Sequence, residues 1–343
     1  MENLKDIPDQ KFSLEITPML ATLVDSPFDD EGWEYEIKWD GYRSLAFMND
    51  GELSLRSRNK KSFNEKFFPV ADALANWNIH AIIDGEVVAV DEEGISRFGL
   101  LQNWQTDQDG QLLFYVFDIL WLNGKDLTGL PLTNRKKILA ELMPADDSII
   151  KSGYSVAAEG KAFFDAARQM GLEGIIAKRS DSVYSPGTRS KDWLKIKVEK
   201  RQEVVIAGYT KKAGSPKAFS SLLLGVYKKD TLQYIGKVGT GFSNQQQKEL
   251  LATFKPLIRK KSPFDAIPEY NKPNRFRYTI ADMEVTWLKP VLVCEVRYAE
   301  ITQDGLFRHP SFIGMRTDKN AEEVVLEKPK VSSGDKKQGR SLR

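Results

Sequence analysis

The octet Glu36-Ile37-Lys38-Trp39-Asp40-Gly41-Tyr42-Arg43 combines residue types that could carry covalent chemistry. A lysine amine attacks an electrophile only when deprotonated, so a nucleophilic lysine needs desolvation or nearby positive charge to lower its pKa. Lys38, ending a strand with Gly41 close by, could approach a bound triphosphate, and Arg43 with a metal ion could supply the positive charge. Taken alone the pattern is weak, since Lys-x-Asp-Gly arises by chance in roughly one chain in ten of this length. By itself Lys38 reads more readily as a surface lysine.

Other residues invite the same double reading. Lys195 and Lys197 stand two apart in an alternating segment, so both can point into one cleft or form a solvent-facing stripe. Carboxylates such as Glu173 are hard oxygen ligands suited to Mg²⁺ or Mn²⁺, yet Glu86 and Glu173 could equally be solvated strand ends. Phe117 sits in an apolar run and reads as core without further context. His309 precedes Pro310 and reads as part of a turn; with His80 the only other histidine, a histidine-built metal site is not expected. Cys294, the single cysteine, excludes a disulfide framework and a cysteine-built zinc site.

The elements that must position these residues follow from periodicity. Trp33, Tyr35, Ile37 and Trp39 alternate with Glu34, Glu36, Lys38 and Asp40, the period of a half-buried strand with a polar face. Tyr42 to Met48 and Leu53 to Arg58 read as strands joined by the Asn49-Asp50-Gly51 turn. Ala81 to Val90, Leu112 to Leu122, Glu173 to Arg179 and Trp193 to Val198 read as further strands. Asn134 to Met143 and Glu159 to Met170 read as helices. Beyond about residue 200 short strands follow quickly, with one helix at Asn244 to Phe254, a texture that suits a small OB-fold barrel. The expected division is 1–200, 201–326 and a basic, disordered tail over 327–343.

The whole chain sets bounds on these readings. Its 343 residues are 41% hydrophobic and 29% charged, enough apolar material for two cores. The N-terminal residues Met1 to Lys11 lack the apolar core of a signal peptide, and no apolar stretch is long enough to span a bilayer. A cytoplasmic, nucleoid-associated protein without a membrane partner is the expectation. Net charge is only +2, but Lys195 to Lys217 and the tail from Lys328 are rich in basic residues.

Companion motifs decide the reading of Lys38. Residues 33–198 resemble the covalent nucleotidyltransferase superfamily of DNA ligases, RNA ligases and mRNA capping enzymes. Glu36 to Arg43 looks like its nucleophile motif, and Ser57-Arg58-Asn59 like the next arginine motif. Ile83-Asp84-Gly85-Glu86 resembles the acidic strand motif, Val116 to Leu120 the aromatic one and Glu173 to Lys178 the metal-binding one. Arg189 to Lys197 resembles the closing two-lysine motif. Tyr234 to Phe242 and Leu306 to Lys319 are similar to the OB-domain of the ligase module of bacterial DNA ligase D. The resemblance therefore implies an ATP-dependent DNA ligase of α+β class, with an antiparallel-sheet, ATP-grasp-like nucleotidyltransferase domain followed by an OB-fold β-barrel. A single cysteine and a short segment before Lys38 point away from NAD-dependent ligases, which carry a cysteine-rich zinc module and an extra N-terminal domain.

That resemblance also implies roles. Lys38 would attack the α-phosphate of ATP and hold AMP. Glu36 would accept from the adenine amino group, Phe117 would stack on the purine, and Glu86 would hold the ribose hydroxyls. Arg43 and Arg58 would contact ribose, phosphate or the 5′-phosphate of a nick. Ile37, Lys178 and Arg189 fall in the same ATP-binding motifs. Glu173 would bind the divalent metal, while Lys195 and Lys197 would neutralise the α-phosphate. Arg316, Asp318 and Lys319 would orient the leaving pyrophosphate. Nicked double-stranded DNA is the implied substrate, gripped by the basic stretches or with help from end-joining partners such as Ku or a separate polymerase. An RNA ligase or capping enzyme, and a non-catalytic DNA-binding scaffold, are the competing readings.

Overall fold

A computed structural model of the chain describes residues 4–106, 109–145, 149–266, 268, 270 and 283–330. Two compact units emerge, one running to Val198 and rejoined from Lys328, the other spanning Glu199–Glu327.

In the first unit the strands are β1 (Leu20–Leu23), β2 (Trp33–Ile37), β3 (Tyr42–Asn49), β4 (Glu52–Ser57), β5 (Ala81–Val90), β6 (Gln111–Leu122), β7 (Lys125–Asp126), β8 (Ile150–Ser152), β9 (Ser155–Ala157), β10 (Gly174–Arg179) and β11 (Arg189–Lys197). Its helices are α1 (Phe68–Asn76), α2 (Phe98–Asn103), α3 (Leu132–Leu142) and α4 (Gly160–Gln169). One sheet has the order β4-β3-β5-β6-β7 with β8 also on β6; the other has the order β1-β11-β10-β2-β9. Most pairs are antiparallel, but β1 runs parallel to β11 and β8 parallel to β6, so the sheets are mixed rather than wholly antiparallel.

Strands β5 and β6 sit centrally and are apolar on both faces. One face joins α1, α2 and α3 in a core that includes Tyr42, Phe67, Ile83, Val87, Phe98, Phe114 and Ile138. Toward the other face, Leu45, Phe47, Ile82 and Leu120 pack with Trp193 of β11 and with Tyr184. The second sheet buries Tyr35, Ile175, Ala177, Leu194 and Ile196 with Ala167 of α4, while its opposite face carries Glu36, Lys178, Lys195 and Lys197 beside Trp193. Between the sheets' ends, Arg135 and Asp118 form a fully buried, bidentate pair at 2.7 and 2.9 Å. Removing one member of such a pair costs about 3–5 kcal/mol, because the other charge is left stranded.

Several elements differ from the periodic reading. Strand β2 stops at Ile37; Trp39 leaves the apolar face and stacks on Tyr115, with ring centroids 3.6 Å apart, over Val88, Val90 and Leu113. Helices α1 and α2 escape the pattern because each is short; α1 starts where Pro69 pre-sets the helical φ at its first turn. The tail expectation is corrected for its described part. Lys330 pairs with Val24 beside β1, accepting from the Asp25 amide and donating to the Leu23 carbonyl, while residues 331–343 lie outside the described residues.

The second unit contains β12 (Arg201–Lys212), β13 (Ser221–Lys228), β14 (Thr231–Val238), α5 (Asn244–Phe254), β15 (Ile258–Arg259), β16 (Met283–Arg297), β17 (Glu300–Ile301), β18 (Phe307–Arg308) and β19 (Ser311–Met315). Its antiparallel sheet is ordered β14-β13-β12-β16-β15, with β19 on the far half of β16. Ser243 and Gln246 form a capping box at the start of α5, satisfying backbone donors that the first turn leaves unpaired. Val204, Ile206, Leu222, Leu224, Phe254 and Val293 form its core, with Trp287 and Cys294 buried among them.

Candidate active site

Strand register builds the site. On the polar face of the second sheet, Lys178 lies between Glu34 and Trp193, and Ile176 between Glu36 and Lys195. One step further the Lys38 amide donates to the Gly174 carbonyl at 3.0 Å, and Gly174 stands opposite Lys197. Since residues two apart share a face, Glu36, Lys178, Lys195 and Lys197 line one surface, with Lys38 at the open end of β2. The Gly174 row has no side chain of its own. A Cβ there would lie 2.1 Å from the Ile196 carbonyl oxygen, and its φ of 153° lies where L-residues are strained.

Lys38 pairs with Glu173, the residue just before β10, whose side chain is almost wholly buried. Burial pushes the Lys38 amine toward neutrality, but Glu173, with Glu86 and Asp40 behind it, overrides that and holds its pKa above the ordinary lysine value. The direction at Lys38 is thus upward, where the nucleophile reading expects a depression.

The charge of Arg43 is paired within the first unit. Its guanidinium is engaged by Asp84, through Nε to Oδ1 at 3.0 Å and Nη2 to Oδ2 at 2.6 Å, and it donates to the Met19 carbonyl at 2.6 Å. Tyr184 donates to the same Asp84 carboxylate at 2.6 Å, so the arginine is fixed by groups that are themselves buried. Gly41 lies tightly against β5. A Cβ at that position would lie 2.2 Å from the Val87 carbonyl oxygen, so its absence permits the entry of β3 to pack against β5.

Glu36 is buried and held at both oxygens, 2.5 Å from the Lys136 ammonium and 2.6 Å from that of Lys178. Burial disfavours its charge, yet Lys136 and Lys178 together keep the carboxyl below its ordinary range. The Lys178 ammonium also lies 4.3 Å from the ring centres of both Phe117 and Trp193, a cation–π sandwich. Burial and the charge of Lys136 lower the Lys178 pKa despite the attraction of Glu36. Phe117 is half-buried, meeting Trp193 edge-on at 6.4 Å, and so is a wall of this polar face rather than a purely internal residue.

Glu86 pairs in register with Arg43 of β3 on one side and Tyr115 of β6 on the other, and is half-buried. Ile37 points the other way, into the core shared with α4, so only its backbone can face a ligand. Arg58 is half-buried in the turn after β4. Arg189 stands apart: it begins β11, is exposed and donates to the Ala21 carbonyl at 2.6 Å, roughly 20 Å along the strand from Lys195 by the rise per residue.

In the second unit Arg316 donates to both oxygens of Asp318 at 2.9 Å, with Glu203 and Glu295 at 3.8 and 3.7 Å, while Lys319 reaches Glu203 at 3.0 Å. Burial opposes the Arg316 charge, but these carboxylates hold the guanidinium firmly protonated. His309 is exposed and takes a left-handed φ of 50° between β18 and β19, the geometry of a turn residue.

Among the described residues no three His, Cys, Asp or Glu side chains converge as a metal cage. Glu173 offers a hard oxygen donor at the site, the kind of sparse coordination that Mg²⁺ completes with substrate phosphates and water. The donor chemistry therefore fits a nucleotide-borne divalent cation.

Residues 18–197 match the family model described as ATP dependent DNA ligase domain, and residues 215–319 that described as ATP dependent DNA ligase C terminal region. The first match alone spans more than half of the chain. The chain belongs to the ATP-dependent DNA ligase family. This ligase is 30% identical to DNA ligase C of Mycobacterium tuberculosis over 92% of its own length and 94% of that relative. It is 37% identical over 91% of its length to the multifunctional non-homologous end joining protein LigD of Mycolicibacterium smegmatis, but spans only 40% of it. Among solved structures, a mycobacterial DNA ligase D complexed with ATP and MES is 36% identical, with a TM-score of 0.64 over 92% of this chain and 99% of that one. The ligase thus has the α+β architecture of a nucleotidyltransferase domain followed by an OB-like domain, and ATP is its AMP donor. Capping and scaffold readings fall away.

Sequence reasoning passed over Lys136 and Tyr184. Lys136 lies in the run Asn134-Arg135-Lys136-Lys137, which reads as a solvated helix face; nothing short of tertiary packing shows that it reaches β2.

Proposed function

We propose that this ligase seals 5′-phosphate/3′-hydroxyl nicks in duplex DNA through a Lys38–AMP intermediate. The supporting observation is the register that sets Lys38 against Glu173, beside a face carrying Glu36, Lys178, Lys195 and Lys197. The Lys38 ammonium first gives up a proton to solvent; the neutral amine then attacks the α-phosphorus of ATP, forming a P–N bond as the bond to pyrophosphate breaks. AMP then passes to the 5′-phosphate of the nick, giving a 5′–5′ pyrophosphate, and the 3′-hydroxyl displaces AMP to close the strand.

Phosphoryl transfer of this kind depends on positioning and charge neutralisation. Lys195 and Lys197 offset negative charge around the α-phosphate. Phe117 supplies the face for the purine and Glu36 the acceptor for its amino group; Glu86 holds the ribose. Asp84 and Tyr184 keep Arg43 aimed at the sugar-phosphate. Glu173 would hold a divalent cation, which when bound supplies positive charge beside the α-phosphate and competes with Lys38 for the carboxylate. In the second unit, Arg316, Asp318 and Lys319 orient the pyrophosphate of the first step. A role in repair, including double-strand-break joining with separate partners, is suggested by the end-joining relatives.

Incubation with α-³²P-ATP and magnesium, followed by a chase onto nicked duplex, tests the reading. Label should appear on the wild type, be absent from Lys38→Ala, and move to DNA on the chase. Label retained by Lys38→Ala would place the nucleophile elsewhere.

A further inference from the structure

The acidic pair Glu34 and Glu36 lies two apart on β2, on one face, and the ammonium of Lys136 bridges both at 2.8 and 2.5 Å. Lys136 comes from α3, a helix distant in sequence that otherwise packs against β6. Ser155 of β9 also donates to Glu34 at 3.3 Å, so the outer acid is anchored independently of Lys136. Among the described residues, the other partner of Glu36 is Lys178, which lies against two aromatic rings at the opposite oxygen. Without Lys136, a carboxylate at 5% exposure would face a single cation. It would then tend to protonate or turn toward Lys178.

A purine 6-amino group is a donor, whereas the 6-oxo group of guanine is an acceptor. An ionised carboxylate in fixed orientation accepts from the first and repels the second, whereas a protonated carboxyl can donate to the second. We propose that Lys136 is a positioning residue for nucleotide selection: by gripping Glu36 from the helix side it keeps that carboxylate charged and aimed, and so makes the ligase read the 6-amino group of ATP. The inference rests on the reading of Glu36 as the adenine acceptor.

The test measures single-turnover self-adenylation of the full chain, previously stripped of AMP with pyrophosphate, across concentrations of ATP and of purine riboside triphosphate, which lacks the 6-amino group. Lys136→Met should raise the KM for ATP and reduce the ATP-over-purine selectivity in kcat/KM about tenfold, the scale of one charge-assisted hydrogen bond. Lys136→Arg should restore most of it, and Lys136→Gln gives a second neutral variant should the first fold poorly. Equal losses for both nucleotides, with no recovery by arginine, would show that Lys136 merely braces the fold and would overturn the inference. Glu36→Ala, which leaves no side-chain acceptor at this position, separates the two levels. If it abolishes selectivity while the Lys136 variants keep it, the role of Lys136 fails and the reading of Glu36 stands. If Glu36→Ala leaves selectivity intact, both fail.

Discussion

Glu36 and Asp318 are buried carboxylates that stay ionised because cations outweigh their loss of hydration: Lys136 and Lys178 for the first, Arg316 and Lys319 for the second. A carboxyl held below its ordinary value stabilises the native state above that value, 4.5 for Glu36 and 3.8 for Asp318, and the contribution disappears as pH falls through the lowered native pKa. Urea midpoints measured from pH 6 toward pH 3 should therefore drop in the wild type. The slope should flatten in Glu36→Gln, which has no proton to take up at that position. An identical acid slope in both would mean that Glu36 does not titrate differently in the native and unfolded chains. At this same scale the Glu173 carboxylate, paired with Lys38, outweighs burial and holds that amine above the ordinary lysine pKa.

At the scale of elements, the site depends on three strands holding one register. Strand β10 sits between β2 and β11, so a slip on either side would separate Lys38 and Glu36 from Lys195 and Lys197. Gly174 guards that register, because any side chain there collides with the β11 backbone at Ile196. Gly174→Ala should destabilise the fold by about 2–3 kcal/mol, as overpacking does. It should also reduce adenylation beyond what lost folding explains, measured as the labelled fraction of the folded protein at a temperature well below its melting. Normal labelling and an unchanged Tm would show that the register has slack.

Across the whole molecule, formal charge nearly cancels, yet exposed lysines cluster where the second unit begins. Lys211, Lys212 and Lys217 are all exposed around the connection from β12 to β13. Contacts between such lysines and DNA phosphates release counterions, so affinity falls with salt along a slope set by the number of phosphates neutralised. Replacing all three by Gln should reduce the log–log slope by about 2–3 on nicked duplex, with little change between DNA sequences. A binding curve with the wild-type slope would remove this segment from the DNA-binding surface.

How much of this was legible beforehand follows from the range of each interaction. The alternation of β2 and the two-lysine spacing in β11 are local, period-two facts, and a lone sequence displays them directly. Family motifs then told which of those faces matters. Register between strands, by contrast, joins residues well over a hundred positions apart, and no local pattern specifies that Glu173 meets Lys38. The departure of Trp39 onto Tyr115, the turning of Arg43 toward Asp84 and the reach of Lys136 to Glu36 are likewise choices among distant partners. The sequence by itself displayed a lysine, acids and cations in the order of the family motifs, and that resemblance, not residue type alone, implied their roles. Only tertiary packing decided which charges neutralise one another before substrate arrives, because burial and pairing set ionisation, and neither exists until the chain has folded.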